Sequence, residues 1–177
     1  MEEAAGRSEQ RRPDPGQYLS DTDRDIIRQT WSRVFSCCED VGVRVLIRFF
    51  SKFPSAKQYF SQFRHLQEPQ EMQHSSQLRQ HARRVMGAIN SVVEKLGDPE
   101  QVRSVLALVG RAHAIKHKVD PMYFQLLSGV ILEVFVEDYA EYFTTEAQSA
   151  WSQLMALICV QVLAAYTELG WAQNSSV

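Results

Sequence analysis

Apolar positions along this chain recur at the three-to-four spacing of a helix face from Ser20 almost to the end. Ser20 to Asp23 reads as an N-cap with acidic residues in the first turn, and Ile27, Trp31, Val34 and Phe35 follow on one stripe. Val41 to Phe53 is apolar over much of its surface and predicts a helix buried on more than one side. Pro54 ends it and opens a short turn through Phe60. Residues 61–75 are polar and loop-like, with room for one helical turn around Pro69 to Met72. A long helix is predicted from Ser76 to Leu96, with positions 78, 81, 85, 89, 92 and 96 on its stripe and Gly97 as its C′ stop.

Val102, Leu106, Val109 and His113 share the next face. Asp120 and Pro121 open a helix carrying Phe124, Leu127, Ile131 and Val134. Thr144 or Thr145 caps a last helix with Trp151, Leu154, Ile158 and Val162, closed by Gly170. The fold class expected is all-α, with about seven helices. Residues 1–19, polar and holding Pro13 and Pro15, are predicted as a disordered tail; 20–170 form one domain, and 171–177 a short C-terminal tail.

Composition narrows the function classes. Of 177 residues, 45% are hydrophobic and 10% aromatic, enough for a core that also encloses something. Nineteen basic and 21 acidic residues are spread along the chain without a long basic run, so no nucleic-acid partner is expected. No secretory h-region and no long uninterrupted apolar run appear, so neither export nor stable membrane insertion is expected. Cys37, Cys38 and Cys159 are too few and odd in number for a disulfide framework. A reducing intracellular compartment fits best, with the cytoplasm expected and presence in the nucleus as well left open.

Five histidines carry the candidate chemistry. His65 and His74 lie in the polar stretch and read as solvated. His81 and His113 each sit on the apolar stripe of their own helix. A single stripe histidine is most often a satisfied core residue, but two on facing stripes would aim both imidazoles into one slot. Leaving them unpaired there costs about 1–3 kcal/mol each. A zinc ion wants four ligands and finds two. A haem iron brings four nitrogens of its own and needs one or two axial ligands. A rival reading pairs His113 with His117, four residues on, as a surface metal site without a carboxylate or thiol nearby. Alternatively His117, with Arg84 one turn beyond His81, reaches an anionic group at the slot's mouth, as haem propionates would be, or is ordinary solvated surface.

These residues together resemble the globin family. The pattern is Pro54 opening a short helix, Phe60 at the corner after it, His81 twenty-one positions later, Val85 one turn on, and His113 on the next helix. Stretches such as CEDVGV, FPSAKQYFSQF, HKVDP and LSGVILEV are similar to the vertebrate tissue branch of that family. The resemblance covers about residues 20–170 and implies a three-over-three helical sandwich around haem b (iron protoporphyrin IX). It implies His113 as the proximal ligand and His81 as a distal ligand that fills the sixth position when no gas is bound. Phe60 would pack on the porphyrin, and Leu46 and Val85 would shape the distal pocket. Mammalian members of that branch have a cysteine two residues after the distal histidine that can pair with the one matching Cys38. Here that residue is Arg83, so the internal bridge cannot form. Cys38 could still link two chains, but the neighbouring Cys37 makes the pairing ambiguous, and three reduced, unpaired cysteines are the first expectation; the expected state is a monomer or a homodimer.

Three function classes follow. The first is a six-coordinate globin that binds dioxygen, nitric oxide and carbon monoxide and acts as a nitric oxide dioxygenase, with His81 as catalytic residue. Nitrite reduction and superoxide or peroxide chemistry are related activities that the resemblance implies. With no glycine-rich dinucleotide or flavin motif in the chain, electrons must come from a separate donor or reductase. The second class stores or senses oxygen without turnover. The third is a haem-free helical scaffold in which both histidines are structural.

Overall fold

The computed structural model describes residues 19–171. Seven α-helices follow one another: α1 (Asp21–Phe35), α2 (Cys38–Lys52), α3 (Pro69–His74), α4 (Ser76–Glu94), α5 (Pro99–Ala112), α6 (Met122–Asp138) and α7 (Thr145–Glu168). A 3₁₀ segment, Pro54–Tyr59, follows α2, and a π turn, His113–His117, extends α5. No strand occurs among the described residues, and the all-α expectation holds. The predicted tails lie outside the described residues, except that Leu19 and Trp171 both pack on the core.

Helix ends follow local chemistry. Ser20 Oγ accepts from the Asp23 N–H at 3.0 Å, and the Asp23 carboxylate accepts from the Ser20 N–H at 3.2 Å, a reciprocal capping box. Thr144 Oγ1 accepts from the Ala147 N–H, and Asp120 Oδ1 from the Met122 N–H. Gly170 adopts φ +80, and the Trp171 N–H reaches the Tyr166 carbonyl at 3.1 Å, a left-handed stop for α7.

Several expectations need correction. α2 begins at Cys38 rather than Val41, because Glu39 and Asp40, invisible to apolar periodicity, suit the positive end of a helix dipole. Gly97 is not a left-handed stop: α4 ends at Glu94, and bonds such as Leu96 N–H to Val93 O and Asp98 N–H to Lys95 O tighten the chain directly into the next cap. Phe35 is 41% exposed and leans on Trp31 rather than entering the core.

Two layers of three helices stack on each other, as expected of a three-over-three sandwich. In one layer α4 touches both α1 and α5; in the other α6 touches both α2 and α7. Across the layers α1 meets α7, α2 meets α4, and α5 meets α7. Two glycines permit the closest crossings. A Cβ on Gly42 of α2 would sit 2.9 Å from Met86 Cγ and 3.1 Å from Ala82 Cβ of α4. One on Gly110 of α5 would sit 2.8 Å from Ala165 Cβ of α7. α7 is long and apolar enough to cross a membrane, yet here it packs on α1, α5 and α6 and buries Trp151, Leu154 and Val162 in the core. The buried indole and hydroxyl at the α1–α7 contact satisfy each other: Trp151 Nε1 donates to Thr30 Oγ1 at 2.7 Å, and Thr30 Oγ1 donates to the Ile26 carbonyl.

Candidate functional site

α5 starts with Asp98 accepting from the Glu100 and Gln101 N–H groups and with Pro99 in its first turn. Its regular winding stops at Ala112, and the next turn widens into a π turn that ends on Lys118 in the left-handed region (φ 51). The His113 side chain stands at this junction. Its Nδ1 lies 2.8 Å from the Val109 carbonyl, which can only accept, so Nδ1 carries the proton and Nε2 keeps a free lone pair. Phe124 of α6 meets the imidazole edge-on at 5.0 Å.

α4 is capped by Ser75 Oγ, which accepts from the Leu78 N–H. One turn further on, His81 projects beside Phe60, with ring centroids 4.8 Å apart in an edge-to-face arrangement. Among the described residues its ring nitrogens have no hydrogen-bond partner. Burial, reinforced by the charges of His113, Arg84 and His117, pushes its pKa down to about 4. Burial also lowers that of His113, opposed by the bond to Val109. Both imidazoles are therefore neutral near pH 7, the form in which histidine donates a lone pair to a metal.

Both histidines line a cavity of about 740 Å³, bounded by α4, α5, α6, α7 and the stretch from Tyr59 to Phe63. Val85, Ile89, Leu106 and Leu127 give it apolar walls, while Arg84 and His117 stand exposed at its rim. None of the residues lining it is Asp or Glu. Phe60, His81 and His113 also border a second cavity of about 60 Å³, and it is this smaller space that Leu46 lines. No group of three or more His, Cys, Asp or Glu side chains suited to a bare metal ion occurs among the described residues. An apolar space with two neutral imidazoles and a basic rim fits a planar, apolar metal cofactor with anionic edge groups, which is what haem is.

The remaining predicted residues fall in clear places. His65 and His74 are exposed. His113 and His117 have ring centroids 5.9 Å apart, but His117 is exposed and no third ligand joins them, so the surface-metal alternative gains nothing. All three cysteines are free. Cys37 is exposed, whereas Cys38, the cysteine that could link chains, is half-buried against the core. Cys159 Sγ lies 3.3 Å from Ser128 Oγ. Sequence reasoning missed Phe63, which is buried and stacked on Phe60 at 4.8 Å, although its three-residue spacing from Phe60 was a usable signal. It also missed Tyr59 as a wall residue and read Phe124 only as core.

Comparison with known proteins agrees with this geometry. The family profile described as Globin matches residues 43–162. The chain is 62% identical to Cytoglobin-2 of Oryzias latipes over 93% of this chain and 92% of that protein. It is 59% identical to Cytoglobin-2 of Danio rerio over 99% of this chain and 94% of that one. A more distant relative, Globin-1 of Mordacia mordax, is 31% identical over 84% of this chain and 93% of its own length.

Proposed function

We propose, for a chain that belongs to the globin family, a six-coordinate haem protein that binds small gases and converts nitric oxide to nitrate. Family membership already implies haem and the binding of gases such as dioxygen; the finer reading rests on His81 and His113. The observation that carries it is two neutral imidazoles on one cavity, one tethered through Nδ1 and one with no hydrogen-bond partner among the described residues.

In this reading haem b is the cofactor and supplies, when bound, the redox chemistry by which nitric oxide, dioxygen and one electron give nitrate. His113 would hold the iron through Nε2, its ring kept in orientation by the Val109 carbonyl. His81 would occupy the sixth position in the absence of gas. Phe60 and Val85 would pack on the ring, Leu46 would limit the small cavity beside His81, and Arg84 and His117 would meet the propionates. A gas has to wait until His81 swings aside, so apparent affinity falls with the fraction of open pocket. Once displaced, the His81 N–H can donate to a gas molecule in the slot. A wall without carboxylates, with Arg84 at its rim, admits an anion such as nitrite or nitrate without like-charge repulsion.

Carbon monoxide and nitrite would use the same space, and a separate cytoplasmic reductant would return the electron. The test is nitrate formed per nitric oxide consumed in aerobic solution, together with the rate at which ascorbate re-reduces ferric protein. One nitrate per nitric oxide with rapid re-reduction is expected. Re-reduction slower than autoxidation would instead make the protein an oxygen store or sensor.

A further inference from the structure

His81 sits midway between two arginines of α4 that both reach across to the first turn of α2. Arg83 Nη1 donates to Glu39 Oε1 at 3.0 Å, and Arg79 Nη1 lies 3.5 Å from both Glu39 Oε1 and Asp40 Oδ1. Arg79 Nε also donates to the Gln73 carbonyl at 2.7 Å, tying the end of α3 into the same cluster. Directly behind lies the tightest α2–α4 crossing, where Gly42 faces Ala82 and Met86. His81 is thus mounted on a stretch of helix seated at Gly42 and strapped by charge on the side away from the cavity.

We propose that Arg79 and Arg83 are positioning residues: their ion pairs with Glu39 and Asp40 hold the His81 turn of α4 against α2 and set how often His81 leaves the slot. The inference rests on the reading of His81 as a sixth-position ligand. Nothing else on His81 itself performs this task, since its ring has no hydrogen-bond partner among the described residues, in contrast to His113. The strap is partly exposed: Arg79 is 27% and Arg83 54% accessible, and Glu39 38%. Each such pair therefore has a modest, salt-sensitive effect, which suits a setting of the open fraction rather than a lock.

The strap should loosen when its charges are removed or screened. In the variant Arg79→Gln/Arg83→Gln, carbon monoxide should bind the ferrous haem-loaded protein about two- to fivefold faster. Amides across residues 76–84 of the haem-free protein should exchange faster by a similar factor. Raising salt from about 0.01 M to about 0.5 M should speed binding in the unmodified protein and not in the double variant. Arg83→Lys, which keeps the charge, should retain the salt response. Unchanged exchange across 76–84 would overturn the strap, and faster exchange with unchanged carbon monoxide binding would reduce it to a structural contact. His81→Ala separates the two readings. If it speeds binding while the arginine variant does not, only the strap fails; if it has no effect, the ligand reading fails and the strap's role with it.

Discussion

His113 is held by its own helix, through the Nδ1 bond to Val109 and a π turn that ends on left-handed Lys118, and by Phe124 of α6 packed against its ring. His81, across the same cavity, meets the ring of Phe60 but has no ring hydrogen bond among the described residues, and the restraint proposed for it lies on the far side of α4. A ring hydrogen bond fixes tautomer and orientation together. An imidazole without one is free to leave and return, as the proposed sharing of its position with a gas would require. The contrast teaches that, under that proposal, one residue type would serve as anchor or gate according to what its second nitrogen meets.

The largest expected break in this comparison is His113→Ala. Losing the anchoring ligand should speed haem loss to an apoglobin acceptor by more than about 100-fold, whereas His81→Ala should leave retention within about tenfold. The next is acid. The folded pKa of His81 lies near 4, below its ordinary 6.5, so the unfolded chain binds the proton more tightly. Stability is therefore full above about pH 6.5 and falls as pH drops toward 4, by up to about 3 kcal/mol from this group. Denaturant titrations of haem-free protein at pH 7 and pH 4.5 should show the loss, and His81→Ala should shrink it.

The two glycine crossings sharpen the comparison. Gly110→Ala drives a Cβ against Ala165 Cβ and the Val162 carbonyl, neither of which can swing away. It should cost about 3 kcal/mol, lowering Tm by roughly 6–12 °C. At Gly42 the 2.9 Å contact is with the flexible side chain of Met86, while Ala82 Cβ and the Ala82 carbonyl at 3.1 Å must give by a few tenths of an ångström, so Gly42→Ala should cost less, about 1–2 kcal/mol. Equal melts would contradict the view that the His113 side is the more rigid. Of comparable size, His81→Ala should speed carbon monoxide binding about tenfold, which corresponds to a pocket open about a tenth of the time.

Much of this was legible in the sequence because the signals are local. The Ser20 cap, the Pro54 break and the Leu78–His81–Val85–Ile89 stripe each follow from neighbours within one or two turns. The lost features depend on distant partners. Arg44, Arg48 and Lys52 recur every fourth residue along α2, but their targets Asp138, Glu137 and Glu133 lie on α6. Gly42 and Gly110 look like weak points of helices until the partner helix is in place. The π turn at His113 keeps the composition of an ordinary helix end, so only the folded backbone discloses it. Leu46 is a similar case: it sits deep in the core and borders the small cavity rather than the large one.

The most direct test of the central claim is the visible absorption spectrum of the haem-loaded protein, reduced without oxygen or any added gas. Sharp, split bands of a low-spin six-coordinate ferrous haem are expected, collapsing to a single broad band in His81→Ala. A single broad band in the unmodified protein would contradict the account, leaving His113 as the only axial ligand.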